Sequence, residues 1–518
     1  MRKLLFILAL IAVLPVAAQV DAFEQFRQQQ AAQFNQFKSN QQAEYDAFRR
    51  RVNEEYAEFM RRAWQEFPAH EAEEPKKEPT VEPVVFEEPE PEPKPAPAEP
   101  TEEPIVKEDI AALDVPKQTL EPEPVPIAVK PIVIVLPEPA PAPEPIAPVQ
   151  PKEEPYKKVS IGYYGALITI GFPETDNLKL KGADENSIAD AWKELSGAPY
   201  DITVKTALDA RKANAFCDWA YMDMLRQVCE KQYGKSNEAT LAQAFLMVQS
   251  GYRIRLGNNA GKLQLLVASV YDIYGYKYFM LDGTKFYIVS GDKNTKMQIC
   301  ESKYGKEKSL SMQIAQLPKF SSNPTQKRTL SSKKGITAAT SVNKNLIDFF
   351  NTYPQACYKG DYTTRWAAYA NTPLDKSIKN ALYPSLKKAI DGAPERQQVE
   401  LILNWVQTAF TYKVDDDVWG HDRAFFAQET LYYPYCDCED RAILFSRLVR
   451  DLVGLDVVLL YYPGHLAAAV GFNNDERGDY LTYKNRKYVV CDPTYINAGV
   501  GRTMPGMNNQ EAQVIALK

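Results

Sequence analysis

The chain has 518 residues, of which 45% are apolar and 25% charged, and its formal net charge is −6 at pH 7. This length accommodates more than one domain with a buried core, and the acidic balance argues against nucleic acid as a partner. At the start of the chain, two basic residues precede an apolar run from Leu4 to Val16 and then two alanines. That pattern predicts a secretory signal peptide at residues 1–18. We therefore expect export to a bacterial periplasm or the cell surface, without a lipid anchor because no cysteine follows the run.

Residues 19–70 contain an internal repeat of 11 residues that is marked by aromatic side chains. Eleven residues over three helical turns is about 3.67 per turn, so each aromatic series stays on one face of a helix. A single helix of about 45 residues would be roughly 70 Å long. We expect self-association as a right-handed coiled coil; the alternatives are docking on a partner protein, cell wall or membrane, and folding back onto the globular part. The two series are Phe23, Phe34, Tyr45, Tyr56 and Phe67, and Phe26, Phe37, Phe48 and Phe59.

Residues 71–155 contain 23 of the 37 prolines, interleaved with Glu, Lys and Ala. This composition cannot form a core and favours extended chain, so we predict a disordered linker with one apolar patch at Ile127–Leu136. Behind it we expect an α+β domain at 156–300, a β-rich connector at 301–345 and a C-terminal domain at 346–518. Apolar periodicity predicts helices at Thr206–Gln232, Ala239–Ser250 and Glu395–Phe410.

Three short motifs near the C-terminus contain the parts of an activated nucleophile. Cys438 lies in Tyr-Cys-Asp-Cys-Glu-Asp-Arg-Ala, His465 follows Pro-Gly, and Asp492 precedes Pro-Thr. A thiol, an imidazole and a carboxylate together can form such a nucleophile. Asp437 is expected to cap a helix that stops at Gly454, which leaves Cys438 in the first turn, where free N–H groups and the helix dipole favour thiolate. Strands that start at His465 and end before Asp492 would bring the other two groups to it.

The order of these motifs, with D-C-E-D-R-A opening a helix, G-H on one strand and D-P-T after the next, resembles the transglutaminase-like superfamily of papain-like fold. The resemblance covers about Glu395 to Pro505. It implies an α+β domain in which the helix carrying the cysteine packs on an antiparallel sheet. Cys438 would form a thioester, His465 would be its base and later the acid, and Asp492 would orient the imidazole.

The resemblance also implies acyl chemistry on an amide of a peptide or protein, with no cofactor and no metal. The Cys438 N–H would be one oxyanion donor, and Gln428 is a candidate for the second; its alternative interpretation is a surface glutamine in a loop. We rank hydrolysis above transamidation, because water is the default acyl acceptor. The alternative of a different class is a non-catalytic scaffold or adhesion protein of the cell envelope that retains the fold for binding.

Other assignments of the same residues stay open. A Cys₃His zinc site from Cys436, Cys438, His465 and Cys491 fits poorly with the usual C-x₂₋₄-C spacing. A disulfide from Cys436 or Cys491 would switch the Cys438 thiol off, and seven cysteines leave at least one unpaired. Three adjacent acids at 415–417 lack the alternating spacing of a calcium loop, so we interpret them as a solvated acidic loop. The cysteines whose pairing or burial the sequence does not decide are Cys217, Cys229, Cys300 and Cys357.

A faint second copy of the motif-bearing segment precedes it in the chain. Lys235–Leu256 aligns with Cys438–Leu459 without gaps, and a one-residue slip aligns the following hairpin. The positions that correspond to the three candidate catalytic residues are then Lys235, Lys262 and Ser290, which include neither a thiol nor an imidazole. We interpret this as a duplicated, catalytically silent module; chance similarity is the alternative.

Overall fold

The computed structural model describes residues 16–66, 69–78, 133–138, 155–289, 296–508 apart from 302 and 305, and 511–518. Most of the predicted signal peptide and most of the proline-rich linker lie outside these residues, as does Ser290. The described chain is a mixed α+β structure with mainly antiparallel sheets, as the sequence predicts. Within these ranges, no helix is both long enough and apolar enough to span a membrane.

The elements form a long N-terminal helix followed by two modules, each with helices and a six-stranded sheet. The helices are α1 Val16–Glu66, α2 Glu185–Leu195, α3 Asp201–Ala213, α4 Asp218–Tyr233, α5 Asn237–Gln249, α6 Lys344–Thr352, α7 Thr364–Asn371, α8 Lys376–Ile390, α9 Glu395–Ala409, α10 Asp415–Trp419, α11 Ala427–Tyr432 and α12 Cys438–Leu452. The strands are β1 His70–Glu71, β2 Val133–Val135, β3 Tyr156–Tyr163, β4 Ala166–Pro173, β5 Ile254–Asn259, β6 Lys262–Ser269, β7 Tyr271–Ile273, β8 Tyr278–Leu281, β9 Thr284–Ile288, β10 Lys296–Cys300, β11 Arg328–Ser331, β12 Thr337–Thr340, β13 Ala356–Tyr358, β14 Thr411–Tyr412, β15 Tyr435–Cys436, β16 Asp456–Tyr462, β17 His465–Gly471, β18 Tyr480–Tyr483, β19 Arg486–Cys491 and β20 Gln513–Ala516.

The aromatic repeat forms one helix, α1, of 51 residues. Its C-terminal part folds back onto the first module, which is one of the alternatives to a free coiled coil. Asn53 anchors it, because its buried side-chain oxygen accepts hydrogen bonds from Trp192 Nε1 at 3.3 Å, Gln249 Nε2 at 3.0 Å and Tyr304 OH at 2.8 Å. Tyr56 is buried between two of these rings. Self-association stays a prediction. The aromatic side chains of α1 that remain exposed and could form such a contact are Phe34, Phe37, Phe48 and Phe59.

Two pieces of the proline-rich segment are ordered, so the prediction of an unstructured linker is wrong for 71–78 and 133–138. Each adds a strand to the edge of one sheet: β1 pairs antiparallel with β10, and β2 pairs parallel with β20. Ile134 and Leu136 are buried, which locates part of the apolar patch. An open sheet edge offers unpaired N–H and C=O groups, and a short strand satisfies them even in a proline-rich context.

The first module packs α5 against the sheet β1-β10-β5-β6-β9-β8. The predicted helix at Thr206–Gln232 is in fact two helices, α3 and α4. They separate at Ala215, whose φ of +50° lies in the left-handed region and cannot continue a right-handed helix. The connector contributes the hairpin β11–β12 and is otherwise irregular.

The second module packs α12 against the sheet β2-β20-β16-β17-β19-β18, with α9 behind the helix. Arg441 of α12 is buried, and it donates to the carbonyls of Gln407 at 3.3 Å and Phe410 at 3.0 Å near the end of α9. These bonds satisfy C=O groups that the end of α9 leaves open. The start of α12 is therefore held in a fixed position over the strands β16 and β17.

The two sheets share their strand order and their register. In the strand orders β1-β10-β5-β6-β9-β8 and β2-β20-β16-β17-β19-β18, the hairpin β5–β6 corresponds to β16–β17 and the hairpin β8–β9 corresponds to β18–β19. The edge strands β1 and β2 correspond in position, as do β10 and β20 next to them. Asn259 pairs with Lys262 in the first module as Tyr462 pairs with His465 in the second, each across a two-residue turn. One strand further, Tyr287 pairs with both Val267 and Tyr278, as Val489 pairs with both Val470 and Tyr480.

Backbone conformation agrees at the turns of the two modules. The glycine that ends the helix has a φ of +86° at Gly251 and +80° at Gly454, and the hairpin glycine has +87° at Gly261 and +79° at Gly464. Such φ values are accessible to glycine at little cost, which explains why glycine recurs at both places. The helix α5 followed by the hairpin β5–β6 is the arrangement that the duplicated-module interpretation requires.

Candidate active site

Cys438 is the first residue of α12, and 9% of it is exposed. Asp437 occupies the N-cap position, and its backbone N–H donates to Asp440 Oδ2 at 3.3 Å. The backbone N–H of Leu466 forms a hydrogen bond to the Cys438 sulfur. The thiol therefore faces the hairpin β16–β17 at the point where β17 begins with His465.

His465 and Asp492 form a buried hydrogen-bonded pair. His465 Nε2 lies 2.8 Å from Asp492 Oδ2, and each residue is 2% exposed. Asp492 Oδ1 accepts from the backbone N–H of Thr494 at 2.8 Å and of Tyr495 at 3.2 Å, which fixes the carboxylate. Gln407 on α9 holds the same loop by donating to the Asp492 carbonyl at 2.9 Å. With Nε2 engaged by Asp492, Nδ1 is the ring nitrogen on the opposite side of the imidazole.

Cys438 and His465 line one narrow cleft, together with Trp366 and Tyr461. Its volume is about 40 Å³, which is room for about one small group, because a water molecule takes about 30 Å³ of the liquid. Only a slim part of a substrate, such as one carbonyl group with its nearest neighbours, fits beside the sulfur as the cleft stands.

Trp366 on α7 is a site residue that the motifs do not reveal. Its indole N–H is buried, has no hydrogen-bond partner among the described residues, and belongs to a ring that lines the cleft. A buried donor without a partner is costly, and the cost is removed if a ligand oxygen accepts from it. Trp366 is a better candidate than Gln428 for a second oxyanion donor.

Gln428 does not line the cleft. It lies on α11, it is fully buried, and its Nε2 donates to the carbonyl of Pro373 at 2.9 Å. Both sequence interpretations of this residue, the oxyanion donor and the surface glutamine, are therefore wrong. Its ten-residue distance from Cys438 in the chain is not a guide to position, because a turn of helix and a strand intervene.

The surroundings of Cys438 favour a neutral thiol. Burial raises the pKa of Cys438 well above its usual range, and the carboxylates of Glu439 and Asp437 raise it further, whereas the Leu466 amide acts in the opposite direction. The thiol also lies 3.2 Å from Glu439 Oε2. The resting site thus holds a thiol rather than the thiolate that the helix start alone predicts.

Five acidic residues surround this helix start. The oxygens of Asp415, Asp437 and Asp440 lie within 4.8 Å of one another, as do those of Asp415, Asp422 and Glu439. Burial raises the pKa of Asp415 to about 8, and the Glu439 carboxylate contributes. Asp415 is buried and accepts from the Arg423 N–H at 2.6 Å, so the interpretation of 415–417 as a solvated loop is wrong for its first residue.

These carboxylates are the donor set that could hold a cation. Oxygen ligands suit Ca²⁺ or Mg²⁺ rather than zinc. Asp437 Oδ1 is buried and has no hydrogen-bond partner among the described residues. Cys436 and Cys491 stand apart from this group: the Cys436 sulfur lies 3.9 Å from the Thr411 carbonyl and the Cys491 sulfur 3.6 Å from the Val489 carbonyl, and the described residues form no Cys₃His cluster. None of the seven cysteines forms a disulfide within the described residues.

Compared with known proteins, the chain matches no family model, and no curated protein is significantly similar to it. The chemistry available to it is therefore inferred from its own side chains. They offer a buried thiol at a helix start, an imidazole paired with a carboxylate, and an indole N–H that has no partner among the described residues and belongs to a ring lining the same cleft.

Proposed function

We propose that this chain is an exported cysteine enzyme with a transglutaminase-like domain of papain-like fold, acting on an amide bond of a peptide or protein. One observation carries the proposal: the imidazole of His465 lines the same cleft as Cys438, and its Nε2 lies 2.8 Å from Asp492 Oδ2. A carboxylate in that position holds the imidazole in the tautomer with the proton on Nε2, which leaves Nδ1 able to accept a proton.

The reaction begins with the neutral thiol. As the substrate carbonyl reaches the sulfur, the thiol proton passes to His465 Nδ1 and the sulfur forms a bond to the carbonyl carbon. The carbonyl oxygen becomes an oxyanion that accepts from the Cys438 backbone N–H and the Trp366 indole N–H. The imidazolium then gives its proton to the amide nitrogen, the C–N bond breaks, and a thioester and a free amine are formed.

The thioester is resolved by water or by a second amine. His465 removes a proton from the acceptor, which adds to the thioester carbonyl, and the thiolate leaves and takes the proton back. Hydrolysis is favoured over transamidation, because water is the abundant acceptor. Neither step needs a cofactor.

The competing proposal is a non-catalytic envelope scaffold or adhesion protein that keeps this fold for binding. The narrow cleft and the raised pKa of the Cys438 thiol favour it. In that case the exposed aromatic face of α1 supplies self-association or attachment to the cell wall, and the C-terminal module only binds.

Trapping of the thioester separates the two proposals. The full chain is incubated with peptides prepared from cell-envelope proteins, quenched in acid, and digested with trypsin. Tryptic residues 424–441 contain both Cys436 and Cys438, and fragment masses distinguish them. We expect a mass increase on Cys438 that hydroxylamine removes, its loss in Cys438→Ala, and its retention in the matched control Cys436→Ala. A peptide that binds without any acyl adduct on Cys438 would instead establish the scaffold.

A further inference from the structure

A cleft much larger than the one at Cys438 lies in the first module. Its volume is about 870 Å³, against about 40 Å³ for the cleft at Cys438, and the two clefts share no lining residue. That volume is in the range of sites that bind small molecules or short peptides. The cleft is formed by α4, the start of α5, the start of β6 and the hairpin β3–β4, together with Phe349 and Thr352 of α6.

This cleft occupies the place in the first module that the candidate active site occupies in the second. Lys262 opens β6 as His465 opens β17, and Lys235 stands just before α5 at the position that aligns with Cys438. Both lysines line the cleft. In the second module the Leu466 N–H donates to the Cys438 sulfur at the helix start; in the first, the equivalent Leu263 N–H donates to Asn237 Oδ1 at 2.9 Å.

The side chains of the first cleft support binding and not amide chemistry. None of the residues that line it is a cysteine or a histidine. On α4, Arg226 is paired with both Asp223 at 2.7 Å and Glu230 at 3.1 Å, so this group of three carries one net negative charge. Lysines 235 and 262 are exposed and line the same cleft, which leaves the five charged side chains with one net positive charge, and Lys235 forms no ion pair within the described residues.

The walls of the cleft combine aromatic rings with a side-chain amide. Tyr164, Trp219 and Tyr276 contribute the rings, and Gln227, whose Nε2 donates to Asp223 Oδ2 at 2.9 Å, contributes the amide. Rings bury the apolar parts of a ligand, whereas amides can donate to and accept from backbone peptide groups. The cleft at Cys438 differs in charge, because it is lined by five carboxylates and by no lysine or arginine.

We propose that the cleft of the first module is a second peptide-binding site, which takes a segment carrying carboxylate and aromatic side chains and does not cleave it. Lysines 235 and 262 hold the carboxylates, and the aromatic walls cover the neighbouring side chains. The choice of a peptide as the ligand rests on the proposed function, because a module with the same topology would hold the same class of polymer. The cleft would position a substrate by an acidic segment distant from the bond that reacts.

Fluorescence anisotropy with a defined peptide tests this site. The probe is a fluorescein-labelled octapeptide of alternating Glu and Tyr, and the protein is the full chain with Cys438→Ala, so that no turnover occurs. We expect saturable binding that weakens with added salt. Changing Lys235→Glu and Lys262→Glu together should weaken it by at least about tenfold, and the two Arg substitutions should restore it.

Matched controls make the result decisive. Lys484→Glu changes an exposed lysine in a turn of the other module and should leave binding within about twofold, as expected for an exposed charge far from the site. An octapeptide with Gln in place of Glu should bind at least about tenfold more weakly. Equal affinity in the double Glu variant and in the Lys484→Glu control overturns the proposal. So does tighter binding of a labelled oligogalacturonate, because that outcome assigns the cleft to an acidic glycan.

The two proposals fail separately. If Cys438 never forms an acyl adduct but lysine-dependent peptide binding persists, the proposed enzyme is wrong and the second site stands. If the adduct forms but lysine-dependent binding is absent, the second site is wrong and the enzyme stands.

Discussion

Asp492→Asn is the sharpest test of the candidate triad. The asparagine oxygen can still accept from the N–H groups of Thr494 and Tyr495, so the loop is retained. Its amide nitrogen replaces Oδ2 and can only donate toward His465 Nε2. The imidazole then carries its proton on Nδ1 and cannot accept the thiol proton. One charge-assisted hydrogen bond becomes a neutral one, at a cost of about 1–2 kcal/mol in the free energy of unfolding.

The expected effect on rate is much larger than this effect on stability. Loss of a general base lowers acylation by about 10²–10⁴-fold. The assay is the burst of p-nitrophenolate from p-nitrophenyl acetate, whose small acetyl group suits the narrow cleft, with mass spectrometry to locate the acetyl group on Cys438. Urea unfolding measures stability in parallel.

Asp492→Ala is the matched comparison. It leaves the His465 Nε2–H and two backbone N–H groups without acceptors in a buried site, at about 1–3 kcal/mol each. We therefore expect it to be clearly less stable than Asp492→Asn while losing acylation to a similar degree. An Asp492→Asn protein that acylates within about threefold of the wild type would refute the role assigned to the His465–Asp492 pair.

Three further predictions follow from contacts in the structure. Trp366→Phe should lower the acylation burst by about 10–100-fold. It should also lower the unfolding midpoint, because it removes part of a buried ring that packs on Tyr362 and Tyr461; an unchanged burst would remove Trp366 from the oxyanion site. The pKa of Asp415 is raised to about 8 in the folded chain, whereas an aspartate in an unfolded chain has a pKa of about 4. Between these two pH values the folded chain binds a proton that the unfolded chain has released. The free energy of unfolding should therefore fall as pH rises from about 4 to 8. In thermal scans, Asp415→Asn should reduce the dependence of the unfolding midpoint on pH. Millimolar CaCl₂ should raise the midpoint at pH 8, and no response to Ca²⁺ or Mg²⁺ would exclude a cation site among the five acidic residues at the start of α12. Asn53→Leu should destabilise the docking of α1 by about 2–4 kcal/mol, seen as faster proteolysis of that helix, whereas the exposed neighbour Glu54→Ala should not.

The candidate triad could be predicted from sequence because each member stands at the end of a short element. Cys438 starts a helix, His465 starts a strand and Asp492 follows one, and each boundary is set by local turn and cap residues. The oxyanion donor could not be predicted in this way. Trp366 lies 72 positions before Cys438 and reaches the cleft only because α7 packs on α12. No local pattern records that contact.

Burial of polar groups was the other point at which sequence patterns were insufficient. Three successive acids indicate a solvated loop, yet Asp415 is buried because the Arg423 N–H reaches it across a turn. The proline-rich segment likewise indicates extended chain, yet residues 133–135 become a strand because β20 offers them an open edge. In both cases the partner that decides the outcome lies elsewhere in the chain.

Sequence alone indicated several helices, the hairpins with their turns and the similarity of the two modules, although it merged α3 and α4 into one helix. These depend on interactions between residues close in the chain, such as the positive φ at Gly261 and Gly464. Only the tertiary structure decided which groups surround Cys438, the sign of the shift in its pKa, and the very different sizes of the two equivalent clefts. Those properties depend on burial and on charges brought together by packing, and packing joins residues that are distant in sequence.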